Sequence, residues 1–279
     1  MLTDNQISQF HKDGYTVVEN LLTPGQISQM KDRAARIVEE WDEDESRHVF
    51  STNDNNRTDD TYFLESAEMI RCFYEEEAFG PDGRLVQERS ACINKIGHAL
   101  HELDPVFEPL SHLKELGEIA KQVGMSGPQI RQSMYIFKQP RIGGVVNWHQ
   151  DASFFYSEPI SVVTFWFAVE DATTENGCLW VEPGGHTSPL RERFNRDGNV
   201  TTMEALDSTP WPTEENSIPL PASAGTLVVF QGTLPHYSAP NRSDKSRQAY
   251  VLHVTDATSA YADTNWLQTV KLPLRGFAS

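Results

Sequence analysis

Hydrophobic and polar residues alternate with two different periods along this chain. Over roughly 4–123 the apolar residues recur with largely helical spacing, which predicts a mainly helical first part. Asp4 is the expected N-cap of the first helix, and Thr23-Pro24 begins the second, because proline is favoured at the first helical position. YTVVEN, between these helices, predicts a short strand, and a further helical stretch is expected over roughly 90–122.

After Gly127 the apolar runs become short and rich in β-branched and aromatic residues, and glycine, proline and asparagine separate them. Six of these runs have the length of strands: QIRQSMYIFKQ, VVNWHQDASFFY, SVVTFWFAVEDA, GCLWVEP, GTLVVFQG and SRQAYVLHVTDA. With no helical pattern between them, they favour an antiparallel sandwich or jelly roll over a parallel sheet. Two polar segments lie outside the pattern: 42–60 predicts a mobile surface loop, and 187–218 predicts an insertion between strands.

Composition narrows the class of protein. The 279 residues carry a net charge of −17, which argues against a nucleic-acid partner. The most apolar run, VVTFWFAV, is much shorter than the roughly 18 residues of a membrane span, and the N-terminus lacks the basic and apolar stretches of a signal peptide. Cys72, Cys92 and Cys178 have no CxxC spacing, so they predict free thiols in a reducing compartment and a cytoplasmic protein.

A histidine and an aspartate separated by one residue occur twice, so this spacing alone carries little weight. His11 and Asp13 fall at the end of a helical pattern, where residues two apart do not face each other, and a solvated helix end is the better interpretation. His149 and Asp151 fall in the predicted strand NWHQDASFF, where residues two apart share a face. An imidazole and a carboxylate, completed by a second histidine, form the facial triad of non-haem Fe(II) oxygenases. This pair therefore needs a third ligand.

His236 is the strongest candidate for that ligand. It follows the apolar strand GTLVVFQG just before a turn, where a sheet can deliver a ligand to the rim of a barrel. The other candidates have simpler interpretations, as residues of a helical face, a turn or a core strand: His98, His101, His112, His186 and His253. Arg247 begins the next strand; if the two strands are antiparallel neighbours, its guanidinium returns close to His236 and could pair bidentately with a ligand carboxylate.

Several blocks of the chain, taken in order, resemble the phytanoyl-CoA dioxygenase family of Fe(II)- and 2-oxoglutarate-dependent oxygenases, most closely its domain-containing proteins. The blocks are FHKDGYTVVENLLTPGQ, TYFLESAEMIRCFYEEEAF, NKIGHALHELDPVF, WHQDASFFYSEP, FAVEDATTENGCLWVEPGGH and GTLVVFQGTLPHYSAPNRSDKSRQAY. The resemblance covers nearly the whole chain. It implies one mainly β domain over 1–279, with a helical part over 1–125, a double-stranded β-helix (jelly-roll) core over 126–260 with the N-terminal helices packed on it, and a tail over 261–279.

The resemblance also implies the ligands and the chemistry. His149, Asp151 and His236 would bind Fe(II), and Arg247 would bind the far carboxylate of the co-substrate 2-oxoglutarate. Further co-substrate contacts are implied for a group of residues that each have an ordinary structural interpretation when taken alone: Lys95, Met134, Gln150, Trp166 and Ser238. With O2 as second co-substrate, a small organic substrate would be hydroxylated and succinate and CO2 released. Related halogenases lack the carboxylate ligand, so the presence of Asp151 favours hydroxylation.

Specificity for the substrate is expected to lie in the two polar segments, which we place at the mouth of the pocket. Three arginines of the second segment, Arg191, Arg193 and Arg196, could bind an anionic substrate, although a solvated loop is the better interpretation. A function of a different class also fits the pattern: a non-catalytic jelly-roll module that binds a metal or a small acid.

Overall fold

The computed structural model describes residues 1–42, 48–50 and 61–278. Within these residues the α-helices all lie in the first half of the chain: α1 (Asp4–Asp13), α2 (Pro24–Glu40), α3 (Thr61–Leu64), α4 (Leu100–Leu103), α5 (Phe107–Ser111) and α6 (Lys114–Gln122). Most of the predicted loop 42–60 lies outside the described residues, and its mobility stays a prediction.

The first two helices begin at threonines. The N-cap of α1 is Thr3 and not Asp4, so that prediction is wrong. The Thr3 hydroxyl accepts a hydrogen bond from the Gln6 backbone N–H, while the Gln6 side chain accepts one from the Thr3 backbone N–H. This reciprocal pair satisfies two N–H groups that a helix start would otherwise leave unpaired. Thr23 begins α2 in the same way, with Pro24 at the first helical position as predicted.

The described chain has fifteen strands, of which eleven form two main antiparallel sheets and the other four form two separate pairs. The strands are β1 (Tyr15–Val18), β2 (Ile70–Tyr74), β3 (Ile93–His98), β4 (Pro128–Lys138), β5 (Val146–His149), β6 (Ser157–Glu158), β7 (Val163–Ala168), β8 (Leu179–Val181), β9 (Glu192–Asp197), β10 (Val200–Ala205), β11 (Ile218–Leu220), β12 (Leu227–Gln231), β13 (His236–Ser238), β14 (Arg247–Asp256) and β15 (Ala260–Tyr261). The larger sheet has the order β1-β12-β7-β14-β4-β3-β2, the smaller has the order β11-β8-β13-β5, and the two pairs are β9–β10 and β6–β15. This is the predicted double-stranded β-helix with flanking helices.

The central strand β7 shows where the core lies. Phe165 and Phe167 pack on the helical side of the large sheet, in a cluster that includes Phe10 and Met30. Trp166, between them, faces the opposite way and packs with residues of the smaller sheet. Because side chains alternate along a strand, a strand covered on both faces is mostly apolar, and Thr164 is the one polar residue of β7. In the described part of the chain, no helix has the length and apolar character needed to cross a membrane.

The first part of the chain is less helical than predicted. β1 lies at one edge of the large sheet, and β2 and β3 lie at the other edge. The helix expected over 90–122 is wrong at its beginning, since Ile93–His98 is a strand that pairs with β4. Five of its six residues are buried, so no polar face was visible to separate strand from helix. The predicted insertion 187–218 carries the β9–β10 hairpin, and the division into one domain with three parts stays a prediction.

Candidate active site

The three predicted metal ligands meet where two strands of the smaller sheet end. His149 is the last residue of β5, His236 is the first of β13, and the two are directly paired. Asp151 begins a single turn of 3-10 helix after β5, so the prediction that it lies on the strand is wrong. Its carboxylate and the two imidazoles nevertheless place one ligand atom each within 4.8 Å of one another.

Backbone carbonyls fix the orientation of both imidazoles. Nδ1 of His149 donates to the carbonyl of Asn147 at 2.8 Å, and Nδ1 of His236 donates to that of Leu234 at 3.0 Å. A neutral imidazole that donates through Nδ1 carries its lone pair on Nε2. The two Nε2 atoms lie 3.6 and 3.7 Å from Oδ1 of Asp151. Three donor atoms therefore face one point, which fits a divalent transition metal whose ligands are held by backbone contacts.

The surroundings also favour the protonation states that metal ligands need. Burial, with a smaller effect of the adjacent His149, lowers the pKa of His236 to about 4, so this imidazole is neutral at neutral pH. Burial alone would raise the pKa of Asp151, but the imidazoles of His236 and His253 outweigh burial and hold that pKa well below its ordinary value. The other carboxylate oxygen, Oδ2, accepts a hydrogen bond of 2.5 Å from Thr164. A metal ion binds ligands in these deprotonated forms.

Arg247 occupies the more buried end of the same cavity, where its side chain is 2% exposed. Its Nε donates to the carbonyl of Gly177 at 3.0 Å and its Nη2 donates to the Ser238 hydroxyl at 3.1 Å. Nη1 is buried and has no hydrogen-bond partner in the described chain. Burial lowers the pKa of Arg247 to about 10, so the guanidinium is still charged at neutral pH. An unused donor on a buried cation fits a carboxylate ligand.

Four of the five other co-substrate candidates border this cavity: Lys95, Met134, Trp166 and Ser238. The Trp166 ring centre lies 5.7 Å from Cζ of Arg247, and the Lys95 Nζ lies 3.2 Å from the ring centre of Phe50. The structure brings these four side chains to one cavity, while their contact with 2-oxoglutarate, which the family resemblance implies, stays a prediction.

Gln150 differs from the other four, because its buried side chain does not line the cavity. Its Nε2 donates to the carbonyls of Thr233 and Pro189 at 2.8 and 3.3 Å, and its Oε1 accepts the backbone N–H of Arg191 at 3.0 Å. These contacts tie the turn after β5 to two neighbouring segments. A side-chain contact of Gln150 with 2-oxoglutarate stays a prediction, and its present hydrogen bonds favour a structural role.

Most of the other candidate histidines are engaged away from the triad. His101 contacts the Ser133 hydroxyl, while His112 and His186 contact backbone carbonyls. His98, predicted on a helical face, lies on β3 and borders the cavity. The helical interpretation of His98 is therefore wrong.

His253 was predicted to be a core residue, but it contacts the metal end. Its Nε2 lies 3.4 Å from Oδ1 of Asp151, and its ring stacks on Phe155 with the ring centres 4.5 Å apart. The alternation of side chains along β14 could have predicted the position of His253. Arg247 and His253 are six residues apart on one strand, so an inward Arg247 predicts an inward His253.

Two buried charged residues near Arg247 were also missed, Lys138 and Glu75. The Lys138 ammonium donates to the carbonyls of Gly144 and Ala239 at 2.7 and 2.8 Å. Glu75 accepts the Gly144 backbone N–H at 3.2 Å. Burial is the main cause that lowers the pKa of Lys138 and raises that of Glu75. Lys138 shares the strand face of Met134, four residues earlier, which is the signal that could have predicted its position.

The three arginines of the 187–218 segment are used within the protein. Arg191 is buried, not solvated as expected, and donates to the carbonyls of Thr209 and Pro210 at 3.1 and 3.2 Å. Arg193 lies over the Tyr156 ring, and Arg196 donates to nearby carbonyls. Nη1 of Arg191 and Nε of Arg193 are buried without a hydrogen-bond partner in the described chain, but none of the three arginines borders the cavity, so the structure gives no support to the binding of an anionic substrate there by this group.

The cavity that joins both ends has a volume of about 470 Å³. Its walls are mainly apolar, and about a third of the lining residues are aromatic, among them Phe63, Trp148, Phe154, Phe155, Trp211 and Trp266. Apolar walls around a few converging polar groups are typical of small-molecule sites.

Comparison with known proteins gives one consistent result. The sequence model of the phytanoyl-CoA dioxygenase (PhyH) family matches residues 10–249. "Phytanoyl-CoA dioxygenase" of Arabidopsis thaliana is 42% identical over 273 residues, covering 98% of this chain and 95% of the plant protein. "Phytanoyl-CoA dioxygenase domain-containing protein 1" of Bos taurus is 40% identical over 284 residues, covering 98% and 97%.

Solved structures agree with the fold. The non-heme alpha ketoglutarate dependent carbocyclase SnoK from nogalamycin biosynthesis superposes with a TM-score of 0.66 at 16% identity, covering 98% of this chain and 96% of SnoK. Because the identity is low, this likeness concerns the fold alone. The family model matches most of the chain and the two relatives match nearly all of it at higher identity, and together they show that the chain belongs to the phytanoyl-CoA dioxygenase family.

Proposed function

We propose that the protein is an Fe(II)- and 2-oxoglutarate-dependent dioxygenase that hydroxylates a small organic substrate. In this reaction the substrate, O2 and 2-oxoglutarate give the hydroxylated product, succinate and CO2. One observation carries the proposal: a converging His149, Asp151 and His236 triad shares a cavity with a buried arginine that has an unused donor. Family membership supports the same chemistry, since the relatives are named as dioxygenases.

The triad fits iron by the chemistry of its donors. Two imidazoles and one carboxylate are the donor set of non-haem Fe(II) oxygenases, and His149, Asp151 and His236 would hold the ion while leaving room for other ligands. When bound, Fe(II) would supply the activation of O2, which no protein side chain provides. The protein holds the ligands in place: the Asn147 and Leu234 carbonyls orient the imidazoles, and Thr164 orients the carboxylate.

Arg247 fits the far carboxylate of 2-oxoglutarate. Its Nη1 has no partner in the described chain, although the side chain is buried. A buried unpaired donor is unfavourable unless a ligand satisfies it. The Gly177 carbonyl and the Ser238 hydroxyl hold the guanidinium in one orientation, so a carboxylate would meet a prearranged donor. Lys95, Met134 and Trp166 would complete the surroundings of the co-substrate, with Gln150 acting only indirectly.

The cavity walls would exclude water and hold the substrate beside the metal. Their aromatic character supports an organic substrate with a large apolar part. The three cysteines are buried free thiols, which supports the proposed cytoplasmic location.

Ligand-dependent stability and turnover together test this function. With inert Mn²⁺ present, 2-oxoglutarate at about 100 times its dissociation constant contributes roughly 2.7 kcal/mol, and this ligand alone should raise the melting midpoint by about 5–10 °C. The full rise should require both ligands, and succinate, which lacks the keto group, should stabilise less. In air with Fe(II), slow succinate formation should appear even without substrate.

Two contrary outcomes are distinct. A midpoint that responds to neither ligand, with no succinate formed, refutes the dioxygenase. A midpoint that rises with the metal and a small acid, while succinate formation stays at the level of the protein-free control, identifies the non-catalytic binding module instead.

A further inference from the structure

His98 is a buried histidine of the cavity wall that none of the roles described above uses. It ends β3, is fully buried, and borders the cavity. Three aromatic rings surround it, those of Phe63, Phe73 and Trp266, with ring centres 5.2–5.6 Å away. A polar ring in such surroundings needs a hydrogen-bond partner for each nitrogen.

The contacts of Ser66 determine which nitrogen of His98 carries the proton. The Ser66 hydroxyl lies 2.6 Å from the carbonyl of Phe63, a distance that requires a hydrogen between the two oxygens. A serine has one hydroxyl hydrogen, and it is used in this bond. Ser66 therefore accepts at its second contact, Nδ1 of His98 at 2.7 Å, and His98 donates.

The second nitrogen of His98 is consequently a hydrogen-bond acceptor. Burial and the nearby Lys95 ammonium hold the pKa of His98 well below its usual value, so the ring is neutral. With the proton on Nδ1, the lone pair lies on Nε2. This atom is buried and has no partner among the described residues. Nδ1 of His253, which borders the same cavity from β14, is likewise buried and unpartnered there.

We propose that Nε2 of His98 is the polar anchor of the primary substrate, and that it accepts a hydrogen bond from a hydroxyl or N–H group on a largely apolar molecule. The inference rests on the proposed function, because it concerns the substrate of that same cavity. An acceptor without a partner selects for a donor, since a ligand that lacks one leaves the lone pair unsatisfied. The aromatic walls then hold the apolar part of the substrate.

The proton position can be tested without any substrate. In a protein labelled with ¹⁵N at histidine, the NMR signals of His98, assigned with the His98→Gln variant, should show a protonated Nδ1 and an unprotonated Nε2 at pH 7. A protonated Nε2 overturns the proposal, because the ring would then be a donor toward the cavity.

Selectivity is tested with a pair of probes that differ only in the donor, 2-phenylethanol and its methyl ether. Dissociation constants are measured by ligand-observed NMR on the protein loaded with Zn²⁺ and 2-oxoglutarate. One neutral hydrogen bond predicts that the alcohol binds about 2- to 10-fold more tightly than the ether. Equal affinities, or no saturable binding of either probe, overturn the proposal.

Variants separate recognition from packing. His98→Phe should abolish the difference between the probes, whereas His98→Gln, which keeps an acceptor oxygen, should retain part of it. Ser66→Ala removes the acceptor of the Nδ1 proton, so the proton can move to Nε2, and the ether should gain affinity relative to the alcohol.

His101→Phe is the matched control. His101 is also buried beside a serine hydroxyl, that of Ser133, but it does not line the cavity, so the probe preference should persist.

Failure of this proposal is distinguishable from failure of the proposed function. The same wild-type sample shows by its melting midpoint whether metal and 2-oxoglutarate bind. If they bind while the probes show no donor preference, the anchor is wrong and the dioxygenase stands. If neither ligand shifts the midpoint, the proposed function fails whatever the His98 signals show.

Discussion

At the metal end of the cavity, each imidazole is held by a carbonyl only two residues before it in the chain, whereas at the Arg247 end the contacts join distant segments. Nε of Arg247 reaches the Gly177 carbonyl, 70 residues away, and Ser238 reaches the same carbonyl over 61 residues. The orientation of each imidazole is therefore set locally, although the pairing of β5 with β13 is what brings the two histidines together. The Arg247 end depends on packing between strands, and its effect is shared among several residues.

This difference predicts all-or-none losses at the metal end and graded losses at the Arg247 end. Removal of a ligand leaves the metal with an incomplete triad. Removal of one contact around Arg247 leaves the remaining contacts in place. Four predictions, ordered by expected effect, test the contrast.

The largest loss is expected for the metal ligands. His149→Ala, Asp151→Ala and His236→Ala should each reduce iron-dependent succinate formation by more than about a hundredfold, the upper range for residues that only support metal ligands. The fold should be largely retained, as judged by circular dichroism. The control is His11→Ala, which alters the other histidine with this spacing to an aspartate and should have no effect. If His236→Ala kept full activity while His186→Ala lost it, the third ligand would be misassigned.

Arg247→Ala should have the second largest effect. Loss of charge-assisted hydrogen bonds, worth about 1.5–3 kcal/mol, predicts a KM for 2-oxoglutarate that is roughly 10- to 150-fold higher. Arg247→Lys should restore only part of the affinity, because an ammonium cannot reproduce the planar fork. Metal affinity, measured by titration with Mn²⁺, should change by less than about threefold, in contrast to the triad variants. Unchanged affinity for 2-oxoglutarate in Arg247→Ala would refute the assignment.

The same difference explains what the sequence could predict. HxD in a strand pattern and the position of His236 at a strand end predicted the triad; the structure brings the three side chains together, and their binding of a metal stays a prediction. The prediction that Asp151 lies on the strand was wrong, because Asp151 begins a 3-10 turn. The pattern of NWHQDASFF does not show where the strand ends. The start of α2 at Thr23-Pro24 was predicted correctly, whereas the N-cap of α1 was placed at Asp4, one residue after its actual position at Thr3.

The Arg247 end could be predicted only in part, because its contacts depend on tertiary packing. Alternation along β4 indicates the face on which Lys138 lies, but no pattern in the sequence indicates that Lys138 or Glu75 is buried, because charged side chains are usually exposed. β3 was predicted as helix because both of its faces are covered, by α-helices on one side and by the cavity residues on the other. His98 was assigned to a helical face for the same reason, although its strand position is what brings it to the cavity.

Lys138→Met should show how far the Arg247 end depends on its supporting contacts. Methionine keeps the length of the side chain but leaves the Gly144 and Ala239 carbonyls without their donor. Since Ala239 follows Ser238, a shift there moves the hydroxyl that holds Arg247. We expect a roughly tenfold higher KM for 2-oxoglutarate, with kcat changed by less than about threefold. Lys245→Met, at an exposed position of the next loop, is the matched control and should behave as wild type. Equal losses in KM and kcat would indicate general damage to the site instead.

Ser238→Ala should have the smallest effect. The Ser238 hydroxyl donates to the Gly177 carbonyl at 2.8 Å and accepts from Nη2 of Arg247 at 3.1 Å, so it links two groups that already contact each other through Nε. Its loss removes one of two restraints on the guanidinium and leaves the charge in place. A neutral hydrogen bond is worth about 0.5–1.5 kcal/mol, which predicts a KM for 2-oxoglutarate about 2- to 10-fold higher. Ser238 is only two residues from His236. If closeness in sequence decided which residues support the metal end, Ser238→Ala would weaken metal binding as well. The hydrogen bonds of the structure instead predict an unchanged Mn²⁺ affinity, because the Leu234 carbonyl, and not Ser238, orients the His236 imidazole. A Ser238→Ala protein with weakened Mn²⁺ binding and normal 2-oxoglutarate affinity would show that the two ends are not built separately.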